Sequence, residues 1–143
     1  MTNQRILVSA TVPVDAEKAW HYYTEAEHVI NWNFASADWH CPKAVNDLRV
    51  GGEFTITMAS KDGEMSFDLE GTYDRVERPR LIAYTLKNGR EVSVEFAAEG
   101  SDATGVAVSF EPEGDNDHEA QREGWQHILD NYVSYVAESA AAH

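Results

Sequence analysis

The stretch EAQREGWQHILDNYVSYVAE, running from Glu119 to Glu138, decides the fold. On a helical wheel Ile128, Leu129, Tyr132, Val133 and Val136 all fall within about 80° of Trp125, which is the apolar stripe of an amphipathic helix. His127, Asp130, Asn131 and Glu138 fall well off that stripe, so the opposite face is solvated. Nothing upstream carries a helical pattern of comparable length. The partner for the apolar face is therefore the β-rich middle of the chain, and a long helix laid against a sheet is the expected architecture.

Working back from that helix, the chain reads as strands. Ile6, Val8, Ala10 and Val12 alternate with Leu7, Ser9 and Thr11, and Pro13 ends the run by removing a backbone donor. Asp15 is a fair N-cap for a short helix with Ala16, Ala19, Trp20 and Tyr23 on one face. Thr24 and Glu27 have capping-box spacing, which predicts a second short helix to about Trp32. The segment NFASADWHCPKAVNDLRV, 33 to 50, reads as an irregular strand beside a loop, because Pro42 suits an edge and not a central position.

Gly51 and Gly52 allow a tight turn or bulge before Phe54, Ile56 and Met58, which alternate with polar neighbours. KDG at 61 to 63 is a hairpin signal leading to Phe67, Leu69, Gly71 and Tyr73. Leu81 to Leu86, Val92 to Phe96 and Val106 to Phe110 complete a run of hairpins that needs no crossover helices, hence an antiparallel meander. Asn116 or Asp117 is placed to cap the final helix, and Ser139 to His143 is expected to fray.

At 143 residues the chain suits one domain, 1 to 143, with a sizeable core. Its formal net charge of −14 disfavours phosphate backbones and anionic lipid headgroups, so neither nucleic acid nor membrane is an expected partner. The single Cys41 cannot form an internal disulfide. The start MTNQRILVSATV lacks a signal-peptide core or a membrane span, which makes the cytoplasm the expected address.

The motifs PVDAEKAW at 13 to 20, DLRVGGEF at 47 to 54, KDG at 61 to 63, LEGTYDRVERPRLIAYT at 69 to 85 and REGWQHILDNYVSYV at 122 to 136 resemble one family over nearly the whole chain. It is the activator of heat-shock protein 90 ATPase (Aha-type) branch of the START-like SRPBCC superfamily. The resemblance implies an α+β helix-grip fold like that of the birch-pollen allergen, with a curved antiparallel sheet wrapped around a long C-terminal helix and two short helices after strand 1. It also implies a hydrophobic cavity between sheet and helix. The superfamily contains polyketide cyclases and aromatases, so an enzyme of that type is one alternative. A stress-related or co-chaperone-like interaction module is another, although in the eukaryotic activator the main chaperone-binding surface lies in a separate N-terminal domain.

On that basis the expected function is binding of an apolar or amphipathic small molecule without a cofactor. The cavity candidates are Trp20, Trp32, Trp39, Phe54, Ile56, Met58, Phe67, Leu69, Tyr73, Tyr84, Phe96, Phe110, Trp125, Leu129 and Tyr132. Any of these could equally be ordinary core. His118, Gln121 and Arg122 fall within about 60° of Trp125 yet are polar, so they are the candidate mouth, with Arg122 available to an anionic group.

Catalytic residues are not assigned. Tyr73, Tyr84, Tyr132 and His118 are the best-placed polar groups, but none is joined to a recognisable nucleophile or triad, and His21 and His127 lie off the apolar faces of their helices. No metal is expected either. Asp38, His40 and Cys41 lack a partner cluster, and the chain has no CxxC or HxxxH spacing.

Overall fold

The computed structural model describes residues 5–34, 38–112 and 117–141. The elements follow in the order β1 (Ile6–Val12), α1 (Ala16–Thr24), α2 (Ala26–Val29), β2 (Trp39–Asn46), β3 (Glu53–Ser60), β4 (Ser66–Glu77), β5 (Leu81–Leu86), β6 (Glu91–Ala98), β7 (Thr104–Phe110) and α3 (His118–Ala141). All seven strands form one antiparallel sheet in the order β1-β7-β6-β5-β4-β3-β2. This is the expected helix-grip arrangement: strands β2 to β7 run as a meander, β1 returns to pair with β7, and α3 lies across β1 and α1.

The alternation read from the sequence sets which side of the sheet is covered. Val8 and Val12 of β1, Val92, Val94 and Phe96 of β6, and Val106, Val108 and Phe110 of β7 point into one core with Leu129, Tyr132 and Val136 of α3. Their sequence neighbours on the strands are more exposed, as the two-residue period requires.

Local chemistry fixes the ends of the helices. The Asp15 carboxylate accepts from the Lys18 backbone N–H at 2.9 Å and caps α1. Asp117 Oδ1 accepts from the Glu119 and Ala120 N–H groups at the start of α3, whereas Asn116, the other candidate, lies outside the described residues.

Three expectations need correction. Thr24 does not cap α2, because its buried hydroxyl donates back to the Trp20 carbonyl at 2.8 Å and closes α1. Helix α2 is accordingly a single turn that starts after Glu25 and ends at Val29, short of Trp32. Helix α3 continues through Ala141 and does not fray from Ser139.

In the irregular segment, β2 is an edge strand with its register shift between His40 and Lys43, which is where Pro42 would break a regular ladder. Gly51 and Gly52 form a turn that also re-pairs with β4. The Gly51 N–H donates to the Tyr73 carbonyl at 2.8 Å, and the Tyr73 N–H donates to the Gly52 carbonyl at 2.9 Å. Gly51 adopts φ +83°, and a Cβ on Gly52 would lie 2.1 Å from the Asp47 carbonyl oxygen, so both positions require glycine.

Candidate functional site

The curl of the sheet leaves an apolar hollow of about 320 Å³ between it and the first half of α3. Its floor is built by same-face residues of consecutive strands: Phe54, Ile56 and Met58 on β3, Leu69 and Tyr73 on β4, and Ile82 and Tyr84 on β5. Gln121, Gly124, Trp125, Ile128 and Leu129 of α3 form the roof. Tyr23 and Thr24 of α1, Val29 of α2 and Trp32 close one end, with Asn46 of β2 beside them.

Ten of the cavity candidates therefore face the hollow: Trp32, Phe54, Ile56, Met58, Phe67, Leu69, Tyr73, Tyr84, Trp125 and Leu129. The other five do not. Trp20 and Phe96 pack on one another, with ring centroids 5.4 Å apart, in the core beneath α1. Tyr132 is fully buried and spends its hydroxyl on the Ala19 carbonyl at 2.6 Å. Trp39 sits on the edge strand against Phe67, with centroids 5.7 Å apart. Phe110 lies under Trp125, stacked at 4.2 Å with 12° between the rings, so that Trp125 is half-buried instead of enclosed by the sheet. These five share the sheet or helix face of the lining residues, and strand curvature and position along the element separate them. Neither is encoded in an alternation pattern.

Of the three mouth candidates only Gln121 lines the hollow. The lining residues of α3 centre on a direction about 30° from Trp125 on the side away from Arg122. Arg122 is consequently exposed and pairs with Glu119 one turn back, at 3.4 Å, and His118 is exposed at the first position of the helix. The arginine that does line the hollow is Arg90, immediately before β6, which the sequence reading missed.

Two sets of polar groups in the hollow differ in how they are bonded. The Tyr73 hydroxyl donates to Asn46 Oδ1 at 2.5 Å, and Asn46 Nδ2 donates to the Thr24 carbonyl at 2.6 Å, so this chain of bonds ties β4 through β2 to the end of α1. Tyr23 and Tyr84 line the same space, and among the described residues no hydrogen bond within the protein engages either hydroxyl.

Burial pushes both phenols well above their ordinary value. For Tyr84 the nearby Tyr23 and Tyr73 add to the effect and the Arg90 guanidinium opposes it. Both hydroxyls are therefore neutral donors at physiological pH and unsuited to act as bases. Asp38, His40 and Cys41 do not converge: His40 is exposed, whereas Cys41 is buried with its thiol directed at the Lys43 carbonyl.

Comparison with known proteins bears on the whole chain. The family model described as Activator of Hsp90 ATPase homolog 1-like protein matches residues 13–137. The solution structure of an AHSA1-like protein from Aeromonas hydrophila is similar at 38% identity, covering 98% of this chain and 96% of that one, with a TM-score of 0.89. A Cytophaga hutchinsonii protein of known solution structure shares 46% identity over 97% of this chain and 96% of its own, with a TM-score of 0.81. A Nitrosomonas europaea protein at 18% identity and TM-score 0.79 shares the fold. No curated protein sequence matches.

Proposed function

The chain belongs to the family of proteins like activator of Hsp90 ATPase homolog 1, and from that premise we propose that it binds an apolar or amphipathic small molecule in the hollow between sheet and α3. The observation that carries this reading is the pair of phenol hydroxyls, Tyr23 and Tyr84, facing a mostly apolar space with no hydrogen bond to the described residues. A guest that covered these hydroxyls without bonding them would leave donors unsatisfied at about 1–3 kcal/mol each, so the hollow suits a guest that brings an acceptor. The ligand's body would lie against Phe54, Ile56, Leu69 and Leu129. Its oxygenated end, a carbonyl, hydroxyl or carboxylate, would meet Tyr23 and Tyr84 with the Arg90 guanidinium nearby.

The enzyme alternative fares less well on the same geometry. Two neutral donors could polarise a carbonyl as a cyclase would, but the high phenol pKa values offer no base, and His118 stands outside the hollow. A carrier or sensor of an oxygenated hydrophobe is the reading these side chains support best.

Trp32 and Trp125 line the hollow, so their fluorescence reports occupancy directly. Titration with a matched pair of aromatic probes, one carrying a carboxylate and one a methyl group, is expected to show the acid binding more tightly. Tyr84→Phe should weaken the acid by about 0.5–1.5 kcal/mol, the net contribution of one hydrogen bond, and leave the hydrocarbon unchanged. Ile56→Trp, which fills the hollow, should abolish both. Unquenched fluorescence with every probe, or equal losses for acid and hydrocarbon in Tyr84→Phe, would remove the proposal.

A further inference from the structure

On the outer side of the two short helices, away from the hollow, three residues that share no sequence motif come together. His21 from α1 and His28 from α2 place their Nε2 atoms 3.3 Å apart, and the Glu27 carboxylate lies with them so that one ligand atom of each falls within 4.8 Å of the others. We propose that His21, Glu27 and His28 form a zinc-binding site.

The geometry supports this in three ways. Two nitrogens each bound to tetrahedral zinc at about 2.0–2.1 Å lie about 3.3 Å from one another, which is the separation of the two Nε2 atoms. The rings meet at 67° with centroids 4.9 Å apart, so both lone pairs can be aimed at one point between the edges.

The second support is the shell behind the ligands. His28 Nδ1 is 2.6 Å from the Tyr135 hydroxyl of α3, and a proton held at Nδ1 leaves Nε2 as the metal-facing lone pair. His21 Nδ1 lies 4.0 Å from the exposed Glu25 carboxylate, beyond a hydrogen bond, and a small side-chain rotation would bring that carboxylate into the outer position that orients zinc-ligating imidazoles.

Third, the donor set suits the metal. Two imidazoles and one carboxylate, with water in the fourth position, is a recurrent zinc set, and Glu27 is exposed and can swing inward to close the remaining distance. The sequence gives no signal of this: the histidines stand seven positions apart, and the turn between α1 and α2 supplies the proximity. Bound zinc would pin α1 to α2 and, through Tyr135, to α3.

The test is calorimetric titration of the tag-free, chelator-stripped chain with zinc chloride at neutral pH in excess magnesium, which saturates the acidic surface without competing for imidazole. The expected result is saturable uptake of a single equivalent and a rise in Tm with zinc concentration. The His21→Ala/His28→Ala double variant should lose the uptake. Tyr135→Phe, which keeps all three ligands, should weaken it roughly ten-fold, the usual effect of removing an outer partner. His127→Ala, an exposed histidine elsewhere on α3, should bind as the parent does. Cobalt substitution should give the visible absorption of a tetrahedral ion in the parent and not in the double variant.

Absence of saturable uptake would mean that the two imidazoles share a plain hydrogen bond, and undiminished uptake by the double variant would place the metal elsewhere. Either result overturns the site.

Discussion

At the scale of single residues, four tyrosines on four different elements do different work. Tyr132 holds the Ala19 carbonyl, Tyr73 holds Asn46, and Tyr23 and Tyr84 keep their hydroxyls toward the hollow. The difference is testable at Tyr132. Tyr132→Phe removes a fully buried hydroxyl and its 2.6 Å bond without altering the ring, so denaturant unfolding should show a loss of about 1–2 kcal/mol with an unchanged m-value. Ligand affinity should stay at the parental level, because Tyr132 does not line the hollow. The wheel placed Tyr132 and Leu129 on the same apolar stripe and could not tell them apart. What separates them is that Tyr132 lies opposite α1 and Leu129 opposite the hollow, a distinction of tertiary neighbours. Arg122 failed for a related reason: a polar residue near the stripe at a helix end can turn to solvent and pair along its own helix at little cost.

At the scale of elements, periodicity was informative wherever one face is buried and its opposite is wet. Strands β3 to β7 and helix α3 all follow from the two- and 3.6-residue patterns. The segment from Thr24 to Val50 was harder, because a four-residue helix and a bulged edge strand are each too short or too irregular to show a period. That segment also supplies Asn46 and much of one end of the hollow, so part of what the sequence reading missed of the candidate site lies where the pattern is weakest. Within β4, Gly71 leaves room for the Phe54 ring: an added Cβ would come 2.7 Å from the ring carbons and 2.9 Å from the Thr85 carbonyl oxygen. Gly71→Ala should therefore displace Phe54 into the hollow, with a stability loss of about 1–3 kcal/mol typical of overpacking. A probe that fills the hollow should lose affinity in parallel, and a variant with parental stability and affinity would show that Phe54 has slack elsewhere.

At the scale of the molecule, the charge of −14 is spread over a chain of 143 residues, so the folded state works against its own repulsion. Raising sodium chloride well above the physiological range shortens the screening length from about 8 Å toward 3 Å at 1 M and should raise Tm by roughly a few degrees. A flat or falling Tm would show that the ion pairs, such as Arg5 with Glu91 and Lys87 with Glu70, contribute more than the repulsion removes. The sheet order adds a consequence in time. Strand β1 pairs with β7, from Ile6 with Phe110 to Val12 with Thr104, so the first strand synthesised waits for the last. At about 5–20 residues per second a ribosome needs roughly 5–20 s to cross that interval, and during it Val8 and Val12 have no sheet to join. The roof of the hollow emerges later still, so any guest can be enclosed only after translation has passed α3. Until then the nascent chain is an unclosed meander whose edge is open to whatever it meets.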